Sequence, residues 1–93
     1  MQTQASTLPL SDCPNLGPVS AALLAGVGVH TLEQLRQLGS VAVYARLKRS
    51  GVRMSLNLLW AMEGVLTGVH WQVVAREHRA SLLLALEVEL SPA

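Results

Sequence analysis

Apolar residues recur every three or four positions along most of the chain, and glycine or proline interrupts this pattern at several points. In the clearest stretch, Leu32, Leu35 and Leu38 share one helical face. Thr31 precedes them as a good helix N-cap, and Gln34, three residues later, can complete a capping box. No segment alternates apolar and polar residues for long enough to predict a strand. The pattern therefore predicts an all-α fold, which we expect to be a compact orthogonal bundle of five short helices.

The predicted helices begin and end at residues that are typical of helix termini. Pro18 suits the first position of a helix, because its missing N–H would have no intrahelical partner there. Ser40 and Ser55 are predicted to be the N-caps of the third and fourth helices. We expect helices over 18–25, from the Thr31 cap to Gly39, and over 41–50, 56–67 and 75–90, with Val69-His70-Trp71 as a connector.

The fourth predicted helix is apolar on more than half of its circumference. A helix with this pattern is usually central and buried. Glu63 lies within it, and we expect this carboxylate to pair with an arginine or to lie where the helix meets solvent, rather than to act as a general base.

The last predicted helix carries two apolar stripes. Leu82 and Leu86 lie on the face that suits the core, whereas Ala80, Leu84 and Val88 form a second stripe on another side of the helix. Two explanations stay open: the helix is sandwiched between two neighbours of its own chain, or the second stripe contacts a second copy of the chain.

Length and composition favour one small domain with a partner. The 93 residues suffice for a single core, and we assign residues 1–12 to a flexible leader and 13–93 to one helical domain. The chain is 51% hydrophobic and only 14% charged, where about 25% charged is usual. Such a composition favours apolar surface that is covered by a partner, so we expect self-association, most simply as a dimer.

Basic residues are the first candidates for contact with nucleic acid. The net charge of +1 is too small to predict such binding by itself. However, four of the seven basic residues lie close together in the sequence, namely Arg46, Lys48, Arg49 and Arg53. This cluster is either an ordinary solvated face or a source of phosphate contacts.

The turn Asn15-Leu16-Gly17 is the second candidate. Backbone N–H groups beside a helix N-terminus can bind a phosphate. Pro18 removes one such donor, and Val19 occupies a position at which DNA-binding hairpins commonly carry Lys or Arg. A structural turn is therefore favoured, with phosphate binding as the alternative.

Groups suited to catalysis are scarce. Cys13 is the sole cysteine and has no neighbouring basic residue to activate its thiol. His30, His70 and His78 lack the spacing of metal ligands. No glycine-rich dinucleotide motif, phosphate loop or nucleophile elbow occurs. We therefore expect no enzymatic activity, no cofactor and no metal.

The same sequence argues against export and membrane insertion. The first residues lack both the positive charge and the apolar run of a signal peptide. Prolines and glycines divide the long uncharged stretch near the N-terminus into runs far shorter than a bilayer requires. We expect a cytoplasmic protein with no membrane segment.

Several motifs together resemble the C-terminal domain of TfoX/Sxy-type competence regulators, over roughly residues 13 to 85. The most specific is a run of ten residues followed by a glycine and a His-Trp pair. The matching residues are Pro14-Asn15-Leu16-Gly17-Pro18, 28–35, Gly39, Tyr44, Leu47-Lys48, 55–64 and Gly68-Val69-His70-Trp71. The resemblance implies a small helical domain of the helix-hairpin-helix or SAM type, with no catalytic residues and a role in regulating DNA uptake and transformation. Full-length members carry an additional N-terminal domain and work with the cyclic-AMP receptor protein at competence promoters.

Two hypotheses about function follow. In the first, the chain is a non-enzymatic regulatory domain that acts through DNA or a DNA-bound regulator such as the cyclic-AMP receptor protein. In the second, it is a protein-interaction module that dimerises or docks on a regulator without touching DNA. The basic cluster supports the first, and the second stripe of the last helix supports the other.

Overall fold

A computed structural model of the chain describes residues 9–13 and 16–91. This part of the chain contains six α-helices, one short 3-10 helix and no strand beyond an isolated bridge between Pro9 and Thr31. None of these helices is long and apolar enough to cross a membrane. The predicted all-α class is confirmed, with one α-helix more than expected. In chain order the elements are the 3-10 helix Leu10–Asp12, α1 (Pro18–Ala25), α2 (Leu32–Leu38), α3 (Ser40–Arg49), α4 (Leu56–Thr67), α5 (Trp71–Glu77) and α6 (Arg79–Leu90).

The additional helix arises from two histidines. The predicted connector Val69-His70-Trp71 is shortened to Val69 and His70, because Trp71 begins α5. Nδ1 of His70 accepts a hydrogen bond from the backbone N–H of Gln72 at 3.1 Å and so caps this helix. His78 then leaves helical geometry, with φ −116° and ψ 6°, and separates α5 from α6. The single helix predicted over 75–90 is therefore two helices.

The other helix starts follow the prediction more closely. Thr31 Oγ1 accepts from the N–H of Gln34 at 3.2 Å, and Gln34 Oε1 accepts from the N–H groups of Thr31 and His30 at 3.3 and 2.6 Å. The capping box is thus present. Ser55 accepts from the N–H of Asn57 at 3.2 Å and caps α4. These local hydrogen bonds satisfy donors that a helix N-terminus otherwise leaves without partners.

Ser40 has a different role from the one predicted. It lies inside the first turn of α3, and Gly39 is the N-cap. The Ser40 side chain is buried, and its hydroxyl donates to Oε1 of Glu63 on α4 at 2.6 Å. Glu63 is therefore held by a hydroxyl rather than by an arginine, and the bond joins α3 to α4.

The core surrounds α4, which packs against α2, α3 and α5. Five consecutive residues of α4, 58–62, are buried, as expected for a helix that is apolar on nearly all sides. α3 lies beside α4 and also contacts α1, α2 and α6. The buried residues of the core are Leu10, Cys13, Leu16, Leu24, Val29, Leu32, Leu35, Val43, Tyr44, Ala45, Leu47, Leu58, Leu59, Trp60, Ala61, Met62, Val74, Leu82 and Leu86.

The segment before α1 contributes to this core. Leu10 belongs to the stretch that we assigned to the leader, yet its side chain is 2% exposed. Cys13 is also buried, at 4% exposure. The packed core therefore extends on the N-terminal side of residue 13.

A matched pair of glycine substitutions tests the backbone geometry between α2 and α3. Gly17 and Gly39 are both N-caps, and a Cβ at either meets nothing within 4 Å. They differ in backbone conformation, since φ is −106° at Gly17 and +86° at Gly39, where ψ is 154°. We expect Gly39→Ser to lower the free energy of unfolding by about 1 to 3 kcal/mol, because only glycine adopts that region readily. Gly17→Ser should change it by less than about 0.5 kcal/mol or raise it, because serine is a good cap in extended geometry. Urea denaturation followed by circular dichroism measures both, and equal losses would contradict the argument.

Candidate functional site

The four predicted basic residues do not form one patch. Arg46, Lys48 and Arg49 lie on α3, Arg53 lies in the loop before α4, and all four are exposed. At about 100° per residue, Arg46 and Lys48 project from nearly opposite sides of α3. These charges therefore lie on different parts of the surface, although the residues are close together in the sequence.

Two of the four arginine and lysine side chains bond to the backbone of their own chain. Arg46 Nη1 donates to the carbonyl oxygen of Val27 at 3.1 Å, and Arg49 Nη2 donates to the carbonyl oxygen of Glu89. Val27 follows the end of α1, and Glu89 lies in the last turn of α6. Cations stabilise helix C-termini, where carbonyl groups lack intrahelical donors. These two arginines therefore help to hold α3 against α1 and α6.

Lys48 and Arg53 instead line a shallow cleft of about 570 Å³ beside the loop before α4. Within the described residues, neither side chain forms a hydrogen bond or an ion pair. Tyr44 forms part of the floor, and burial raises the pKa of its hydroxyl above its ordinary value. We call this cleft the basic lobe; its residues are Tyr44, Lys48, Val52, Arg53, Met54 and Ser55.

A second depression of about 370 Å³ adjoins the basic lobe. It shares Arg53, Met54 and Ser55 with the basic lobe, so the two form one continuous surface. Its walls come from α1, the loop before α4, α4 itself and the first residue of α5, and five of its nine residues are apolar. We call it the apolar lobe; its residues are Ser20, Leu23, Arg53, Met54, Ser55, Asn57, Leu58, Ala61 and Trp71.

Sequence reasoning missed this surface. Arg53 was a candidate for phosphate contact and Trp71 was placed in a connector, but nothing in the sequence indicated that they line one depression. Trp71 is half-buried and stacks on His70, with ring centroids 5.9 Å apart. Arg53 next to Met54, in the segment between two predicted helices, is the only sign that the sequence offered.

Of the two described residues of the N-terminal turn, one has its backbone N–H bonded within the described chain. Leu16 is buried, and its N–H donates to the carbonyl oxygen of Cys13 at 3.3 Å. Gly17 is exposed at the N-cap of α1. Asn15, the third residue of the predicted phosphate contact, lies outside the described residues.

The second stripe of the last helix lies on α6 and faces outward. Leu84 and Val88 are 63% and 70% exposed, and Ala80 is also exposed. Leu82 and Leu86 on the other side of α6 are buried. Within its own described chain the stripe is therefore uncovered, and α6 is not sandwiched between two neighbours.

Cys13 is enclosed. Its Sγ donates to the carbonyl oxygen of Pro9 at 3.6 Å. Burial, with a smaller contribution from the carboxylate of Asp12, raises the pKa of the thiol above its ordinary value. The thiol is therefore protonated near neutral pH. Among the described residues, no three His, Cys, Asp or Glu side chains come together as a metal site.

The family described as the TfoX C-terminal domain matches residues 7–86. The chain is also 27% identical over 75 residues to a protein named DNA transformation protein TfoX1 from Aliivibrio fischeri. That match covers 80% of this chain and 36% of the relative, so the chain spans about a third of the relative's length.

Two crystal structures of Listeria monocytogenes proteins have the same fold. The first, of an uncharacterized protein in a triclinic form, has a TM-score of 0.72 and 27% identity and covers 81% of this chain and 85% of its own. The second, of a protein of unknown function in a tetragonal form, has a TM-score of 0.74 and 26% identity, with coverage of 88% and 100%.

Stability measurements can separate the two pairs of basic residues. We expect the double variant Arg46→Ala with Arg49→Ala to lose about 1 to 2 kcal/mol of unfolding free energy, because two hydrogen bonds to helix ends disappear. The matched double variant Lys48→Ala with Arg53→Ala removes the same charge but no hydrogen bond, and should stay within about 0.5 kcal/mol of the parent. Urea denaturation of both variants is the measurement. Equal losses would mean that the carbonyl contacts contribute nothing.

Proposed function

The chain belongs to the TfoX C-terminal domain family, and from this membership we propose that it is a non-enzymatic regulatory domain that acts in DNA transformation by contacting other proteins. The name of the relative from Aliivibrio fischeri supports the assignment to DNA transformation. A DNA-bound regulator, of which the cyclic-AMP receptor protein is an example, is the kind of partner through which such a domain reaches a promoter.

The outward-facing stripe of α6 is the observation that favours contact with a protein over contact with DNA. Leu84 and Val88 are two of the four large hydrophobic side chains that are exposed among the described residues. Burying such a side chain contributes about 1.5 to 3 kcal/mol. Ala80 extends the same stripe by one helical turn, so the three residues form a continuous apolar contact.

A second copy of the chain is the occupant that this stripe fits best. In an antiparallel pair with a two-fold axis at Leu84, Ala80 of each copy lies opposite Val88 of the other. The small residue then faces the large one, which lets two helices pack closely. Glu87, at one edge of the stripe, falls opposite Ser81 rather than opposite another acid, so no like charges meet.

Direct contact with DNA is the second candidate, and Lys48 with Arg53 is the observation in its favour. These two cations are exposed and unbonded within the described chain. Arg46 and Arg49 are less suited to reach phosphates, because they already donate to backbone carbonyls. Two free cations on one surface support weak, sequence-independent attraction more than specific binding.

Analytical ultracentrifugation of charged variants tests the α6 contact. We expect the parent chain to be dimeric and Leu84→Glu with Val88→Glu to be monomeric, because four carboxylates would be brought together in the pair. Val19→Glu is the matched control, since Val19 is 76% exposed on α1 and outside the stripe. It should stay dimeric. A monomeric parent, or a double variant that remains dimeric, would contradict the proposed contact.

A titration with fluorescently labelled duplex DNA at several salt concentrations separates the two candidates. We expect binding no tighter than about 10⁻⁴ to 10⁻⁶ M at physiological salt, which is the non-specific range. The residual binding should fall further in Lys48→Ala with Arg53→Ala. Tighter, sequence-dependent binding would instead establish DNA as the direct target.

A further inference from the structure

The continuous surface formed by the basic and apolar lobes has a one-sided charge. Among the described residues, Lys48 and Arg53 are its only charged residues, and no Asp or Glu lines either lobe. Neither cation has a hydrogen-bond or ion-pair partner within residues 9–13 and 16–91. Ser55, at the N-terminus of α4, lies between the lobes, and the positive end of the helix dipole adds to the same potential. The charge on this surface is therefore complementary to an acidic occupant.

The apolar lobe adds a second requirement. Leu23, Met54 and Trp71 are half-buried there, above the buried side chains of Leu58 and Ala61. Half-exposed apolar and aromatic side chains that line a concave surface are typical of sites that receive an apolar anchor. A duplex phosphate backbone meets the cations but offers nothing to fill this lobe. An occupant that fits both lobes carries an apolar side chain next to carboxylates.

We propose that the basic and apolar lobes together, which we call the cleft from here on, bind an acidic, amphipathic peptide segment of a partner protein. One or more carboxylates of the segment pair with Lys48 and Arg53, and a neighbouring apolar side chain enters the lobe between Leu23, Met54 and Trp71. The proposal rests on the proposed function in one respect, that the domain works through protein contacts. It does not depend on the dimer, because no residue of α6 lines either lobe.

The pairing of charges with an apolar pocket defines how the partner is selected. The two cations increase the association rate and reject basic segments. The apolar lobe contributes affinity through burial of the anchor, which an acidic but wholly polar segment lacks. A segment therefore needs both features in adjacent positions.

Fluorescence anisotropy with labelled synthetic peptides tests the proposal on the full chain. The probes are a short peptide of interspersed glutamate and leucine, the same peptide with lysine for glutamate, and the same peptide with serine for leucine. We expect only the first to bind. Emission from Trp71 should change as it binds, because this ring lines the lobe whereas Trp60 is 2% exposed in the core.

Substitutions then assign the contacts. Arg53→Glu and Lys48→Glu should each weaken binding of the glutamate–leucine peptide about tenfold or more. Arg36→Glu is the matched control, because Arg36 is exposed on α2 and lines neither lobe. It should change the affinity by less than about twofold. Met54→Ser should weaken binding with both cations intact, and thermal melts by circular dichroism verify that each variant is folded.

Three results would overturn the proposal. The first is equal binding of the lysine-containing and glutamate-containing peptides, and the second is unchanged affinity in Arg53→Glu. The third is that labelled duplex DNA binds the chain, loses affinity in Arg53→Glu, and the glutamate–leucine peptide does not bind. That result would assign the cleft to nucleic acid. Loss of the α6 dimer is read separately by ultracentrifugation, so failure of that contact and failure of the cleft are distinguishable.

Discussion

Burial of α4 on nearly all sides is the constraint from which the rest of the arrangement follows. A helix that is apolar around most of its circumference has to be covered by neighbours, and α2, α3 and α5 provide that cover. The Ser40 hydroxyl bonded to the Glu63 carboxylate fixes α3 to α4 at the place where the apolar surface of α4 is interrupted. The basic side chains of α3 leave it in different directions because of helical spacing, and the neighbouring helices α1 and α6 present carbonyl groups to Arg46 and Arg49. That geometry, rather than their order in the sequence, decides which of them reach a helix end and which line the cleft.

The features that were predictable from sequence are those fixed by residues close together in the chain. Thr31 with Gln34, Ser55 and Pro18 each determine a helix start through their own backbone or a hydrogen bond to a near neighbour. The break at His78 was not predictable, because no glycine or proline marks it. His70 was missed because an imidazole that accepts a hydrogen bond as an N-cap is uncommon. Ser40 was misjudged for a related reason: its partner, Glu63, is 23 positions away.

The two candidate surfaces also differ in whether residues close together in the chain are enough to form them. The stripe on α6 was predictable, because helical spacing alone places Ala80, Leu84 and Val88 on one face. The cleft was not, because α1, the loop before α4 and α5 contribute to it, and only tertiary packing brings Leu23, Met54 and Trp71 together. These two surfaces share no residue. A pair of chains joined through α6 would therefore present two clefts at once, and a partner with two acidic segments would gain from their high effective concentration.

The burial of Cys13 makes its thiol a reporter of local opening of the structure. Cys13 is the sole cysteine, and it is buried at the end of the short segment 9–13, in which Pro9 bridges to Thr31. A thiol reagent reaches Sγ only when this segment separates from the core, so the rate of alkylation reports the local opening equilibrium. The chain thus carries a chemical probe of whether residues 9–13 separate from the core independently of the helices or only when the whole fold is lost.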